Sequence, residues 1–526
     1  MSGPAIQEVV VVGGGTAGWL AAGVLAAKNK QLGEAKIKVT LVESPNVASL
    51  GVGEGTWPSM RHTLQIIGIN EQTFIQRCNV SLKQGSLFQG WVNGSPNDAY
   101  YHPFVTPPHY GQYDLAGAWQ QLSNREMKFA DFASVQSSVC ELNLAPKQLS
   151  TPDYAGVTNY GYHLDAGKFA ELLCEHCTKL LGVRHIKDHV TQVHAAKNGD
   201  VSHLSTKLSG NISGQLFVDC SGMNSLLIDQ HYHIPFLNQE HVLFNDRALA
   251  AHVPYASDSA PILSATKSSA QTNGWIWDIG LQTRRGVGYT YSSQFESKQS
   301  AEDTLAKYIN TLTEDGLNSS ITPRTIKFTP GYREKFWQNN CVAVGMSSGF
   351  FEPLEASAIA MVELSLTMLS EQFPRNRQHM DIVAERFNER FTYRWQRVID
   401  FLKLHYVLSE RQDKYWLAHR DASSIPDSLQ KLLDTWQFQA PSRYDVIQNE
   451  EVFPSASYQY VLYGMRYKRS IENTLAATTL SSSMLQYAEQ LMQQNEQLKH
   501  QYRAGLPSNR TFINSLLGKV NKGSAV

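Results

Sequence analysis

A chain of 526 residues, 42% hydrophobic and 18% charged, has material for a large buried core, and its length alone suggests about three domains. Its formal net charge of −1 excludes the clustered basic surface that nucleic-acid binding requires. The six cysteines are too few and too scattered for a disulfide framework, and Cys174 and Cys177 lie in one amphipathic stretch without the second pair a zinc site needs. Cysteines used in this way predict a reduced, cytoplasmic setting, and MSGPAIQE lacks the basic region of a signal peptide.

The first predicted element is the run VVVVGGGTAGWLAA from Val9 to Ala22. It belongs to an apolar stretch, Val9 to Ala27, long enough to suggest a membrane span, but its glycines break it into strand, turn and helix. Gly13, Gly15 and Gly18 form a G-x-G-x-x-G turn, with Thr16 and Ala17 opening the helix. The first glycine makes the turn, the second admits a pyrophosphate, and the third lets helix and strand pack closely. KIKVTLVES reads as the second strand and ends at Glu43, where a carboxylate would grip ribose hydroxyls. The alternative is a glycine turn with no ligand in an ordinary α/β domain.

Further along, Gln84 to Pro152 is rich in aromatics, Gly and Pro and reads as inserted sheet and loops. Asp165 reads as the N-cap of a helix to Leu181, stopped by Gly182. HIKDHVTQVHAA, SHLSTKL and GQLFVDCSG read as strands, the last ending in the small residues Cys220, Ser221 and Gly222. A second insertion, Pro235 to Arg324, contains the alternating strands GWIWDIG and GVGYTYSS. NCVAVGMSSGFFEPLEASAIA repeats the strand, small-residue turn and helix. Beyond Asn376 the pattern is mainly helical, and LQYAEQLMQQNEQLKHQY reads as a solvated helix that could pack on a partner. The fold class is α/β. A discontinuous Rossmann-like core spans 1–375, with an inserted β-sheet region at about 84–152 and 235–324, and a helical region spans 376–526. A second G-x-G-x-x-G between strand and helix is absent, which suggests that reducing equivalents arrive from elsewhere.

GGGTAG, GVGEGTWP (Gly51 to Pro58), CNVSLKQGSLFQGW (Cys78 to Trp91), YYHPF (Tyr100 to Phe104), GWIWDIG (Gly274 to Gly280) and GFFEPLEASAI (Gly349 to Ile359) together resemble the flavin-dependent tryptophan halogenase family, from Val9 to about Tyr467. The resemblance implies a flavin-monooxygenase-like core that binds FAD, capped by a helical substrate region. It implies reduced flavin supplied by a separate flavin reductase, with oxygen and halide (chloride or bromide) as co-substrates. The partner is an electron-rich aromatic small molecule such as tryptophan, indole or a relative. A homodimer is left open, and neither membrane nor nucleic acid is a partner. An aromatic hydroxylase on the same core and a flavin-binding protein without halogenase activity are the alternatives.

The resemblance also implies site residues. Lys83 matches the catalytic lysine that receives hypohalous acid; alone it would read as a surface lysine. Glu355 matches the catalytic glutamate, although on its own it reads as a helix N-terminal carboxylate. Ser357 and Ala358 stand at the halide-binding positions, where the family has Thr and Gly, and alanine takes a glycine-like φ > 0 only at a cost. His102 and Phe104 match residues that sandwich the substrate ring. Trp275 and Trp277, with Ile279 on the same strand face, match the motif that keeps substrate from flavin, although the same pattern suits a plain core strand. Gly280 replaces the usual proline. Val190, Met346 and Ile359 match flavin-contacting positions, and Tyr458 stands where the family's pattern leads one to expect tryptophan.

Overall fold

The β-branched run at the N-terminus forms the strand Glu8–Val12, at the centre of a six-stranded sheet. Across this sheet the order is Trp337–Gln338, Cys341–Ala343, Leu216–Asp219, Glu8–Val12, Lys38–Glu43 and Arg184–Lys187. All neighbours are parallel except the first pair, and Val9 lies opposite both Leu216 and Val39. Valines buried on both faces suit a parallel sheet covered by helices. The helix Thr16–Ala27 is almost wholly buried, which its apolar composition all round requires. It packs against the helices Ala166–Leu180 and Ser357–Glu371. The expected cap is present: Asp165 accepts hydrogen bonds from the Gly167 and Lys168 amides, and Gly182 follows at φ +71°.

This is a computed structural model, and it describes residues 4–30, 36–46, 53–122, 127–313, 321–447, 451–467 and 480–518. Gly51 and Val52 of the GVGEGTWP segment therefore lie outside the described residues. The chain folds as two units, each assembled from three stretches of sequence. One comprises Met1–Val80, Leu164–Glu240 and Phe328–Gln396 and contains the parallel sheet. The other comprises Ser81–His163, His241–Lys327 and Arg397–Val526.

The second unit is built on a seven-stranded sheet ordered Arg324–Lys327, Arg247–Pro254, Arg284–Tyr291, Gly274–Gly280, Thr266–Gln271, Gly85–Gln89 and Ala99–Pro103. Its neighbours are antiparallel except Thr266–Gln271 with Gly85–Gln89. One face, with Leu249, Ile276, Val287 and Tyr289, is covered by Ala301, Leu305 and Ile309 of the helix Lys298–Asn310. Both sequence insertions thus contribute strands, but "sheet and loops" understates them. The first also contains the helices Leu115–Leu122, Phe129–Ala133 and Gln136–Glu141. These helices run five to eight residues, too short to establish a 3.6-residue period among flanking turn residues. The polar helix Ser482–Gly505 packs on these three helices of its own chain through Ala488, Leu491 and Asn495. Asn495 donates from Nδ2 to the Phe132 carbonyl at 2.9 Å.

Candidate active site

The three small-residue turns expected from the sequence meet at the carboxyl ends of neighbouring parallel strands. The Cys220 amide donates to the Val12 carbonyl at 2.8 Å and the Val344 amide to the Asp219 carbonyl at 2.9 Å. Asp219 is buried and accepts from the Ser221, Leu227 and Ile228 amides, fixing the CSG turn. The glycines differ in what surrounds them. A Cβ on Gly13 would meet the Cys220 carbonyl oxygen at 2.2 Å, and one on Gly18 the Gly13 carbonyl oxygen at 1.9 Å. One on Gly15 would meet nothing within 4 Å. Gly15 precedes the helix Thr16–Ala27, which has no side-chain cap and no acid in its first turn. Open space before uncapped N–H groups is what a pyrophosphate requires, so the turn fits FAD. Met346 lies near Gly222, and a Cβ on Gly345 (φ +78°) would meet the Ala17 side chain at 2.9 Å.

Glu43 ends its strand as expected and lies against Gly14. Its Oε1 is also paired with His185 Nε2 at 2.8 Å, with Lys187 Nζ at 4.0 Å, partners that the sequence did not reveal. Val190 begins the strand Val190–Ala195 of a separate antiparallel sheet and packs against the cluster containing Val10, Val12 and Val42.

In the segment around Glu355, the expected strain is displaced. Ala358 is helical, inside Ser357–Glu371, so it needs no glycine-like conformation. The left-handed residues are Glu355 (φ 61°) and Ala356 (φ 55°), just before the helix. Two successive non-glycine residues there store backbone strain of order 1–3 kcal/mol each. Trp57 steadies this turn, donating from Nε1 to the Glu355 carbonyl at 2.8 Å. Glu355 is buried, Ile359 lies in the first turn of the helix, and the helix N-terminus has no side-chain cap.

In the second unit, Lys83 ends the strand Ser81–Lys83, antiparallel to Gly161–Leu164. Lys83 is 0% exposed, not the surface lysine that its residue type alone suggests. Its Nζ lies 5.2 Å from the centroid of the half-buried Phe104 ring. Lys83 and Phe104 are thus brought together, with the Phe104 amide donating to the Gln84 carbonyl at 3.1 Å. Gln84 is itself fixed, donating from Nε2 to the Leu144 carbonyl at 2.8 Å and accepting from Thr158. His102, two residues from Phe104, is buried against Phe401 and Tyr460, with centroids at 5.8 and 6.0 Å. Phe401 was not evident as a site residue, because it reaches His102 from a helix some 300 positions away in sequence; Tyr460 falls in Ser457 to Met465, a segment that resembles a substrate-proximal one of the family. Tyr458 is buried between Phe401 and Trp436.

Trp275 and Trp277 sit on the strand Gly274–Gly280, with ring centroids 6.2 Å apart. Ile276, between them, points to the opposite, helix-covered face, as alternation demands. Trp277 lies across Gly288, where a Cβ would come within 2.0 Å of the indole, and Trp91 extends the aromatic wall 6.1 Å from Trp275. Gly280 continues the strand, paired with Arg285, and its carbonyl accepts from Ser81 Oγ. Buried His163, not evident from sequence, faces Ser81 across the ladder.

Among the described residues no helix is long and apolar enough to cross a membrane, all cysteines are free, and no grouping of ligand side chains could hold a metal.

The chain's relatives bear on this geometry. The tryptophan halogenase family model matches residues 8–479. The tryptophan 6-halogenase SttH of Streptomyces toxytricini is 33% identical over 479 residues, covering 87% of this chain and 89% of that protein. The tryptophan 7-halogenase RebH of Lentzea aerocolonigenes is 32% identical over 455 residues, covering 83% of each chain. The crystal structure of a tryptophan halogenase from Shewanella frigidimarina superposes with a TM-score of 0.93 at 48% identity, covering 98% of this chain and 99% of that one. That of SttH superposes with a TM-score of 0.86, covering 97% and 100%. A pyrophosphate-ready glycine turn, a buried lysine beneath an aromatic ring and a match along most of the chain lead to one assignment: this chain belongs to the tryptophan halogenases, a family of flavin-dependent oxidoreductases.

Proposed function

We propose that the chain halogenates an electron-rich aromatic of the tryptophan or indole type and that Lys83 delivers the halogen. FAD, bound in a reduced form supplied by a separate flavin reductase, would furnish the electrons with which oxygen and halide give hypohalous acid. Gly13, Gly15, Thr16, Ala17 and Gly18 receive the FAD pyrophosphate, Glu43 its ribose, and Val190, Met346 and Ile359 flank the rest. Ser357 and Ala358 hold halide at the uncapped N-terminus of their helix, where the macrodipole favours an anion.

Lys83 takes the hypohalous acid by hydrogen bonding, or as a haloamine in which an N–halogen bond replaces the O–halogen bond and the hydroxyl leaves with an amine proton as water, fixing an electrophile that would otherwise react unselectively. Glu355 polarises it and accepts the ring proton as general base. His102 and Phe104 stack the substrate ring, and Trp275 and Trp277 keep it from the flavin. The observation that carries this reading is the position of the Lys83 amine, buried and held over the Phe104 ring.

Isotope-pattern mass spectrometry of an aromatic library, with enzymatically reduced FAD, oxygen and either chloride or bromide, tests the assignment. The expected product carries halogen at one ring position. Oxygenated product with rapid NADPH consumption by the purified protein alone would establish a hydroxylase instead.

A further inference from the structure

We infer that His163 is the positioning residue of Lys83: a buried imidazole, fixed as its neutral Nδ1–H tautomer, that ties Ser81 of the lysine strand to Thr266 and sets no second charge against the lysine amine. This rests on the role proposed for Lys83. Ser81 pairs with His163 and Lys83 with Gly161, so Ser81, Lys83 and His163 project to one face and the histidine lies diagonally across from the lysine.

The tautomer follows from the hydrogen bonds. Ser81 Oγ spends its proton on the Gly280 carbonyl, so towards His163 Nδ1, 3.4 Å away, it can only accept. Nδ1 therefore carries the hydrogen, and Nε2 accepts from Thr266 Oγ1 at 2.8 Å. A second proton on Nε2 would cost the bond that Thr266 donates, its hydroxyl having to turn and accept instead. It would also create a buried charge beside the Lys83 ammonium, in a residue 0% exposed. Burial first, and the Lys83 charge second, hold this imidazole well below its ordinary range.

The strands Thr266–Gln271 and Gly274–Gly280 bring it a hydroxyl, from Thr266, and a carbonyl, from Gly280. The charged residues on those strands are engaged elsewhere: Asp278 with Arg285 and Tyr308, and Lys267 over the Tyr308 ring. A neutral histidine sets no charge against the Lys83 amine over Phe104, whereas a cationic one would repel its protonated form.

Two His163 variants and one spectrum test this. His163→Gln can still donate to Ser81 and accept from Thr266, and should keep halogenation within about threefold of the parent rate. His163→Phe keeps a flat, neutral ring but loses both bonds, and with them the link from Ser81 of the lysine strand to Thr266. It should lower kcat for halogenation by about ten- to a hundredfold at unchanged KM, without slowing flavin reoxidation. In protein labelled at histidine, Lys83→Met should raise the NMR-detected His163 pKa; this arm decides the question if His163→Phe does not fold. Parental turnover in His163→Phe, or a His163 titration indifferent to Lys83→Met, overturns the inference. Should Lys83→Met itself keep full product yield, the failure lies with the halogen-transfer role of Lys83 rather than with His163.

Discussion

Glu363 places a buried carboxyl between the hydroxyls of Ser59, at 2.9 Å, and Thr63, at 2.5 Å, and burial pushes its pKa up to about 7. Folding raises this pKa from an ordinary 4.5, so the native state holds the proton more tightly than the unfolded chain. Stability from this group is greatest at acid pH and falls as pH rises through that window. Glu363→Gln keeps an acceptor without the charge. Its stability relative to the parent should rise by about 2–3 kcal/mol between pH 5 and pH 8, measured by urea unfolding. An equal difference at both pH values contradicts this account. At this scale the sequence points, through its motifs, to Gly18, Lys83 and Trp277 as residues of the candidate site. It was silent on Glu363, His163 and His185, whose roles depend on partners brought in by strand pairing or helix packing. Nothing adjacent in the chain marks such a residue.

Two glycines of one turn separate protein packing from ligand binding. An alanine at Gly18 drives its Cβ into the Gly13 carbonyl oxygen at 1.9 Å, whereas one at Gly15 meets open space and an ordinary φ of −77°. Gly18→Ala should therefore lower Tm and FAD affinity together. Gly15→Ala should leave Tm of the FAD-free protein unchanged and weaken FAD binding at least tenfold by fluorescence titration. Unchanged FAD affinity in Gly15→Ala would remove the pyrophosphate from this turn. The regular elements were readable because strand, turn and helix follow one another within the Val9 to Ala27 run. The helices of the first insertion were not, since each buries only a few residues and is sustained by packing on the distant helix Ser482–Gly505. Likewise the left-handed pair Glu355 and Ala356 shows no glycine, the usual sequence mark of such a conformation.

Each unit is assembled from three chain stretches, so the lysine strand depends on residues far beyond it. Asn509 donates from Nδ2 to the Leu82 carbonyl at 2.9 Å, and Arg510 donates to the carbonyls of Ala260 at 2.7 Å and Gln282 at 2.6 Å. Both residues lie past position 479, where the family match ends, yet Asn509 anchors the strand that presents Lys83. Asn509→Ala leaves buried backbone groups of Leu82 unsatisfied and should cost about 1–3 kcal/mol of unfolding free energy, with FAD binding retained. No loss of stability would show that the far segment does not support the lysine strand. The overall class was legible because the dinucleotide turn and the paired tryptophans carry local patterns. The division into units was less so, because it is set by pairings such as Thr266–Gln271 with Gly85–Gln89, nearly 200 residues apart. The central claim, an amine held over an aromatic ring to deliver halogen, is tested most directly by Lys83→Ala. With reduced FAD, oxygen and bromide, the account predicts no halogenated product, while flavin reoxidation proceeds at the parental rate; undiminished halogenated product from that variant would contradict it.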